Sequence, residues 1–184
     1  MAIDTDITEP AEQFARVPDA FQRLWTPYRM AYINGEAQVT SGATAACPFC
    51  AAPTVDDATG LLVHRGERAF VVMNLFPYSP GHLLVCPYRH VAEYVALDAD
   101  ETAEFSALTQ VAMRTLAVVS HPAGFNLGMN QGAVAGAGIA AHLHQHIVPR
   151  WAGDTNFLPI TAQTRALPQL LEEARQALAE NWVG

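Results

Sequence analysis

"AHLHQHIVPRW", residues 141–151, carries three of the chain's seven histidines, at positions 142, 144 and 146. On a β-strand, side chains two residues apart point to the same face. A strand here puts His142, His144 and His146 in one row and turns Leu143 and Gln145 the other way. On a helix the three would splay around the cylinder. A row of imidazoles can hold a metal, since His-x-His pairs are common zinc ligands. It can also do chemistry at phosphorus, since a neutral imidazole is a competent nucleophile.

The rest of the sequence narrows the setting. A length of 184 residues, 51 % of them hydrophobic, suits one domain with a substantial core. Ten Lys+Arg against 18 Asp+Glu leave a net charge of −8. That balance argues against a nucleic-acid groove, which needs a basic stripe. It leaves room for a small phosphate ligand, which backbone N–H groups and one or two side chains can hold. No apolar stretch is long enough to span a bilayer. The N-terminus, "MAIDTDITEP", has no basic region followed by an apolar core, so no signal peptide is expected. Three cysteines, two of them in Cys47-Pro48-Phe49-Cys50, fit a reducing compartment better than a disulfide framework. The expectation is a cytoplasmic protein that binds neither nucleic acid nor membrane.

Along the chain, residues 1–22 read as a flexible arm and 23–184 as a single domain. The aromatic segment "RLWTPYRMAYI", residues 23–33, must pack on something, such as a neighbouring subunit. "LLVHRGERAFVVMN", residues 61–74, holds two β-rich runs around Arg65-Gly66-Glu67, a hairpin signal. Phe76 to Gly81 is a turn, and "HLLVCP", residues 82–87, is a third strand. Asp98 with Glu101 has the form of a capping box. Phe105, Leu108, Ala112, Leu116 and Val119 follow at helical spacing, which predicts an amphipathic helix over 99–120. "FNLGMNQ" and "HLHQHIV" predict two more strands, joined by a loop containing Gly132, Gly136 and Gly138. A last helix is expected over 165–182, with Leu167, Leu170, Leu171, Ala174 and Leu178 on one side. This order suggests an α+β fold, an antiparallel sheet with helices on one side. His64 and His121 read as surface residues, and Cys86 as buried and inert.

"HLHQHIV", after a Gly/Ala loop and before Pro149-Arg150, resembles the signature of the histidine triad superfamily of nucleotide hydrolases and transferases. Asn74, six residues before Pro80-Gly81-His82, sits in "NLFPYSPGHLLVCPYRH", which is similar to that family's ribose-contacting segment. The likeness covers roughly residues 45–151. One departure is Gln145, where the family usually has a hydrophobic residue; it faces away from the row and bears on what packs behind the strand. "RLWTPYRM" and "PRWAGDTNF" resemble the bacterial branch of diadenosine tetraphosphate phosphorylases, or ATP adenylyltransferases.

The resemblance implies roles. His144, the middle histidine, matches the nucleophile, and His146 is its partner at a scissile or bridging oxygen. Asn74 would hold ribose hydroxyls, although before a Pro-rich turn it can equally be a turn residue. Asn130, Gln131 and the amides of Ala137 and Gly138 would contact phosphate, although a Gly/Ala loop can simply be a tight turn. Trp151 and Asn156 would close the phosphate end, or else serve packing and turn formation. His82 reads as a core histidine that orients the nucleophile strand. The Cys pair alone could be redox-active, metal-binding or incidental. Zinc-containing relatives, among them galactose-1-phosphate uridylyltransferases, imply the set Cys47, Cys50, His90 and His142. Two thiolates and two imidazoles make a closed, structural zinc site.

The activity implied is cleavage of diadenosine tetraphosphate with inorganic phosphate as second substrate. Hydrolysis to AMP is the alternative, and a non-catalytic nucleotide-binding module a second one. A homodimer or homotetramer is implied as well.

Overall fold

The structure is a computed structural model that describes residues 47–154 and 169–184. The expected arm, the aromatic segment 23–33, Asn156 and Leu167 lie outside the described residues. Two one-turn helices, α1 (Pro48–Ala51) and α2 (Asp57–Gly60), lead into the hairpin β1 (Leu62–Arg65) and β2 (Ala69–Met73). Next come β3 (Leu83–Pro87) and the long helix α3 (Ala99–Ser120). The edge strand β4 (Gly124–Met129), then β5 (Gln145–Arg150) and α4 (Leu171–Glu180) complete the described strands and α-helices.

The five strands form one sheet in the order β1-β2-β3-β5-β4, with every neighbouring pair antiparallel. The fold is α+β, as expected. Every residue of β2 and β3 is buried, which is why "AFVVM" and "LLVCP" read as continuous apolar runs rather than alternating ones. One face packs against α3 and α4 through Val71, Leu83, Val85, Phe105, Leu108, Ala112, Leu116, Ile147 and Leu178. The opposite face holds Leu62, Phe70, Val72, Leu84 and Cys86, with Phe49 and Tyr88 packed on them.

The hairpin is clamped from α3. Glu104 accepts the N–H groups of Glu67 and Arg68, both at 2.7 Å. A Cβ at Gly66 would come within 2.1 Å of Glu104 Oε1 and 2.8 Å of the Ala69 carbonyl. Only glycine fits at that close approach. At the start of α3, Asp98 accepts from Glu101 N–H at 2.8 Å and Glu101 accepts from Asp98 N–H at 2.9 Å. The two donors are satisfied reciprocally, and the helix begins where the capping box puts it.

Three expectations are corrected. β5 begins at Gln145, so of the row only His146 lies in the strand; His142 and His144 occupy the segment leading into it. There the chain turns to meet α1 and the loop after β3, with Leu143 N–H donated to Val91 O. The last helix starts at Leu171, and Leu170 sits at its N-cap, 69 % exposed. His64 is half-buried, its ring stacked on Trp182 at 4.6 Å.

Candidate active site and metal centre

Alternation survives the shortened strand. Leu143 and Ile147 belong to the helix-side core, and Gln145 reaches the same side, donating from Nε2 to Thr109 Oγ1 on α3 at 3.1 Å. Thr109 in turn donates to Phe105 O at 2.8 Å. This answers what Gln145 does behind the row: a polar side chain among core residues is acceptable because it is hydrogen-bonded.

On the other side, backbone groups decide which nitrogen of each imidazole carries hydrogen. His144 Nδ1 lies 2.8 Å from the His142 carbonyl. A carbonyl only accepts, so Nδ1 carries the hydrogen and Nε2 keeps its lone pair. His142 Nε2 lies 2.9 Å from Pro87 O, so Nε2 donates and Nδ1 keeps the lone pair. His82 Nδ1 accepts the Tyr78 backbone N–H at 3.0 Å. Its Nε2, 2.9 Å from His146 Nδ1, is then the donor, and His146 is left with hydrogen on Nε2. The row therefore presents a lone pair on His144 and a donor on His146, with ring centroids 5.1 Å apart.

Electrostatics keep these rings neutral. Burial lowers the pKa of His144 below its usual 6.5, opposed by the bond to the His142 carbonyl. Burial, reinforced by His144, pushes His146 down to about 4. A neutral imidazole at neutral pH is the form that can attack phosphorus. His144 is 5 % exposed, and His82 is fully buried.

Beside the row stands a second cluster. One ligand atom from each of Cys47, Cys50, His90 and His142 lies within 4.8 Å of the others. The His142 Nδ1 lone pair faces Cys47 Sγ at 3.4 Å, Cys50 Sγ at 3.5 Å and His90 Nδ1 at 3.2 Å. Cys50 Sγ is 3.2 Å from His90 Nδ1. A tetrahedron with Zn–N of about 2.0 Å and Zn–S of about 2.3 Å has edges of about 3.3–3.8 Å. The four separations that involve His142 or join Cys50 to His90 match those edges to within a few tenths of an ångström. The Pro87 carbonyl on His142 Nε2 is the kind of outer partner that orients a ligating imidazole. Without a cation, burial and the Cys47 thiol push Cys50 up to about 11; a bound cation reverses that balance. The chain can hold a metal here.

The expected nucleotide contacts are mixed. Asn74 Oδ1 accepts from Phe76 N–H at 3.0 Å and its Nδ2 is 3.3 Å from His82 Nδ1, so the side chain shapes its own turn and also touches the histidine network. Gln131 Oε1 accepts from Tyr94 N–H at 2.8 Å. Asn130 and Gly138 lie in the exposed or half-exposed loop, and Ala137 is buried within it. The Trp151 indole N–H, expected at the phosphate end, donates instead to Ser120 O at the end of α3, at 3.2 Å. Arg150 is held by Asp154 and Asn126.

Residues 57–153 match the HIT domain family. The chain belongs to that family. It is 49 % identical over 168 residues to the AP-4-A phosphorylase of Mycobacterium tuberculosis, covering 89 % of this chain and 86 % of that protein. Among solved structures, a Zn-bound histidine triad family protein from Mycobacterium smegmatis superposes with a TM-score of 0.59 at 25 % identity, over 76 % of this chain and 95 % of that one. A hypothetical histidine triad nucleotide-binding protein from Sulfolobus tokodaii gives 0.60 at 26 %, over 73 % and 91 %.

Sequence reasoning missed two aromatic walls of this HIT site. The Phe49 ring centroid is 4.9 Å from that of His144, and Tyr78 stacks on His146 at 5.6 Å. Phe49 could have been suspected from its place between the two cysteines. Tyr78 carried no such signal, because its N–H bond to His82 depends on the turn's conformation. No helix among the described residues is long and apolar enough to cross a membrane.

Proposed function

We propose that this chain is a nucleotidyl transferase that cleaves diadenosine tetraphosphate by phosphorolysis. The observation that carries the reading is the pair of opposite tautomers, lone pair on His144 Nε2 and hydrogen on His146 Nε2. It is supported by the activity named for the mycobacterial relative.

In the first step the His144 Nε2 lone pair attacks the α-phosphorus. The bond from that phosphorus to the bridging oxygen breaks, ATP leaves, and an adenylyl group stays on His144. His146 Nε2–H donates to the bridging oxygen as charge develops there. The His144 Nδ1–H bond to the His142 carbonyl stabilises the positive charge that the ring takes on. In the second step inorganic phosphate attacks the adenylyl phosphorus, and ADP leaves with His144 restored. Asn74 would hold ribose, and Asn130, Gln131, Ala137 and Gly138 would contact phosphate. Zinc, held by Cys47, Cys50, His90 and His142, would supply structure by fixing the segment that carries His144. The protein would act in the cytoplasm as a homodimer or homotetramer.

Hydrolysis to AMP is the second reading. It gains from the Trp151 indole, which is engaged with Ser120 and so removes one donor from a phosphate site. The experiment that decides is product analysis with diadenosine tetraphosphate, with and without millimolar phosphate. ATP with ADP supports phosphorolysis; AMP at every phosphate concentration makes the chain a hydrolase. His144→Ala should lose turnover by more than about a thousandfold while still binding nucleotide, and near-normal turnover would remove the nucleophile assignment.

A further inference from the structure

Phe49 stands between the two ligand-bearing cysteines and touches both neighbouring imidazoles. Its ring is 4.9 Å from that of His144 and 5.5 Å from that of His142. It belongs to α1, whose backbone bonds run from Cys50 and Ala51 N–H to Cys47 O at 3.1 and 3.0 Å. A single helical turn is too short to persist on its own hydrogen bonds, and no residue of α1 is buried. What fixes α1 is therefore at its ends and on one face. At the ends, the Cys47 and Cys50 sulfurs meet His142 and His90. On the face, Phe49 packs on the cluster of Leu62, Phe70, Val72, Leu84 and Cys86.

His144 needs such a wall. Its Nδ1–H bond to the His142 carbonyl fixes one ring atom, and one bond leaves the ring's tilt open. The Phe49 ring at 4.9 Å and the His146 ring at 5.1 Å both lie against it and limit that tilt. We propose that Phe49 is a positioning residue: metal held at Cys47, Cys50, His90 and His142 fixes α1, and α1 sets the Phe49 ring against His144. The metal cluster and the nucleophile then form one mechanical unit, joined through Phe49 as well as through the backbone from His142 to His144. This rests on the reading of the cluster as a metal site and of His144 as nucleophile.

The test uses the full chain loaded with zinc and labelled with 15N at histidine. Three quantities are read: zinc per chain, solvent exchange of the His144 Nδ1–H, and kcat against KM. Phe49→Ala should keep its zinc, because all four ligand side chains are retained. Its His144 Nδ1–H should exchange at least about tenfold faster. Its kcat should fall about ten- to a hundredfold, with KM changed less. Phe49→Leu, which keeps apolar bulk, should lie between Phe49→Ala and wild type in both readouts, and it carries the test if Phe49→Ala does not fold. Wild-type protein stripped of zinc should show the same fast exchange as Phe49→Ala. Wild-type exchange in the zinc-loaded variants, or slow exchange in the stripped wild type, overturns the proposal. The exchange is read without substrate, so it stands apart from the reaction assigned. An active His144→Ala would remove the nucleophile and leave the exchange result intact.

Discussion

His82 Nε2 and His146 Nδ1 lie 2.9 Å apart, in a line of hydrogen bonds whose direction is set by the backbone N–H of Tyr78. Because that N–H must donate, His82 must accept at Nδ1 and donate at Nε2, and His146 must carry its hydrogen on Nε2. A fully buried histidine thus decides the tautomer of a half-exposed one. His82→Ala should leave His146 free to change tautomer and lower kcat about ten- to a hundredfold with little effect on KM. Steady-state kinetics, with imidazole 15N shifts of His146, check this; an unchanged kcat with a changed tautomer would break the link.

Much of this was legible because the sequence states it locally. Gly66, Asp98 with Glu101, and the spacing from Phe105 to Leu116 each announce a hairpin, a helix start and a buried stripe, and each is where it was expected. Cys47, Cys50, His90 and His142 also meet, although that set came from resemblance, since spacing along the chain says nothing about a meeting across 95 positions. What stayed hidden depends on backbone direction. No pattern reveals that the Tyr78 N–H faces His82, that the Trp151 indole meets Ser120 O, or that the strand starts only at Gln145. The burial of His64 under Trp182 is equally a matter of where the C-terminal residues return.

Acid should act on this fold in two stages. Burial lowers His146 to about 4 from an ordinary value of about 6.5. The unfolded chain therefore binds more protons between those values, and stability rises with pH across that window. His146's share is complete above about 6.5 and is lost as pH falls towards 4. The Arg89 guanidinium holds Glu101 down at about 2, so its contribution is complete above about 4.5 and is lost as pH falls towards 2. Thermal midpoints measured from pH 7 downward should decline in the first window, and His146→Asn should flatten that slope. The acid limb of kcat should likewise fall below 6.5, because His146 holds no extra proton until well below it. A limb centred at 6.5 or above would contradict the depressed value.

Protein purified without chelator should carry one zinc per chain. Removing it should lower the thermal midpoint by several degrees and should act on turnover only by loosening His144, because the closed donor set leaves no open coordination position. Cys50→Ser should weaken binding and shift the midpoint in the same direction. Metal analysis with calorimetry checks both; a stoichiometry near zero with an unchanged midpoint would leave the four side chains as unliganded neighbours.

The last prediction concerns Trp151. Water at roughly 55 M competes with phosphate for an adenylyl group, so phosphorolysis needs oriented phosphate contacts that together provide several kcal/mol. An indole N–H would be a natural contact, but here it donates to Ser120 O at 3.2 Å. It ties the end of β5 to the end of α3, next to the bond between Ala123 N–H and Arg150 O at 2.7 Å. Within one chain, then, the Trp151 indole acts as a brace. Trp151→Phe keeps the ring and removes only the donor. It should cost about 1 kcal/mol of stability, the typical net value of one hydrogen bond. The ratio of ADP to AMP formed from diadenosine tetraphosphate at fixed phosphate should not change. Denaturant unfolding and product analysis measure the two effects separately. A shift towards AMP at unchanged stability would mean that the indole leaves Ser120 to meet phosphate, and the brace would then be a feature of the ligand-free chain alone.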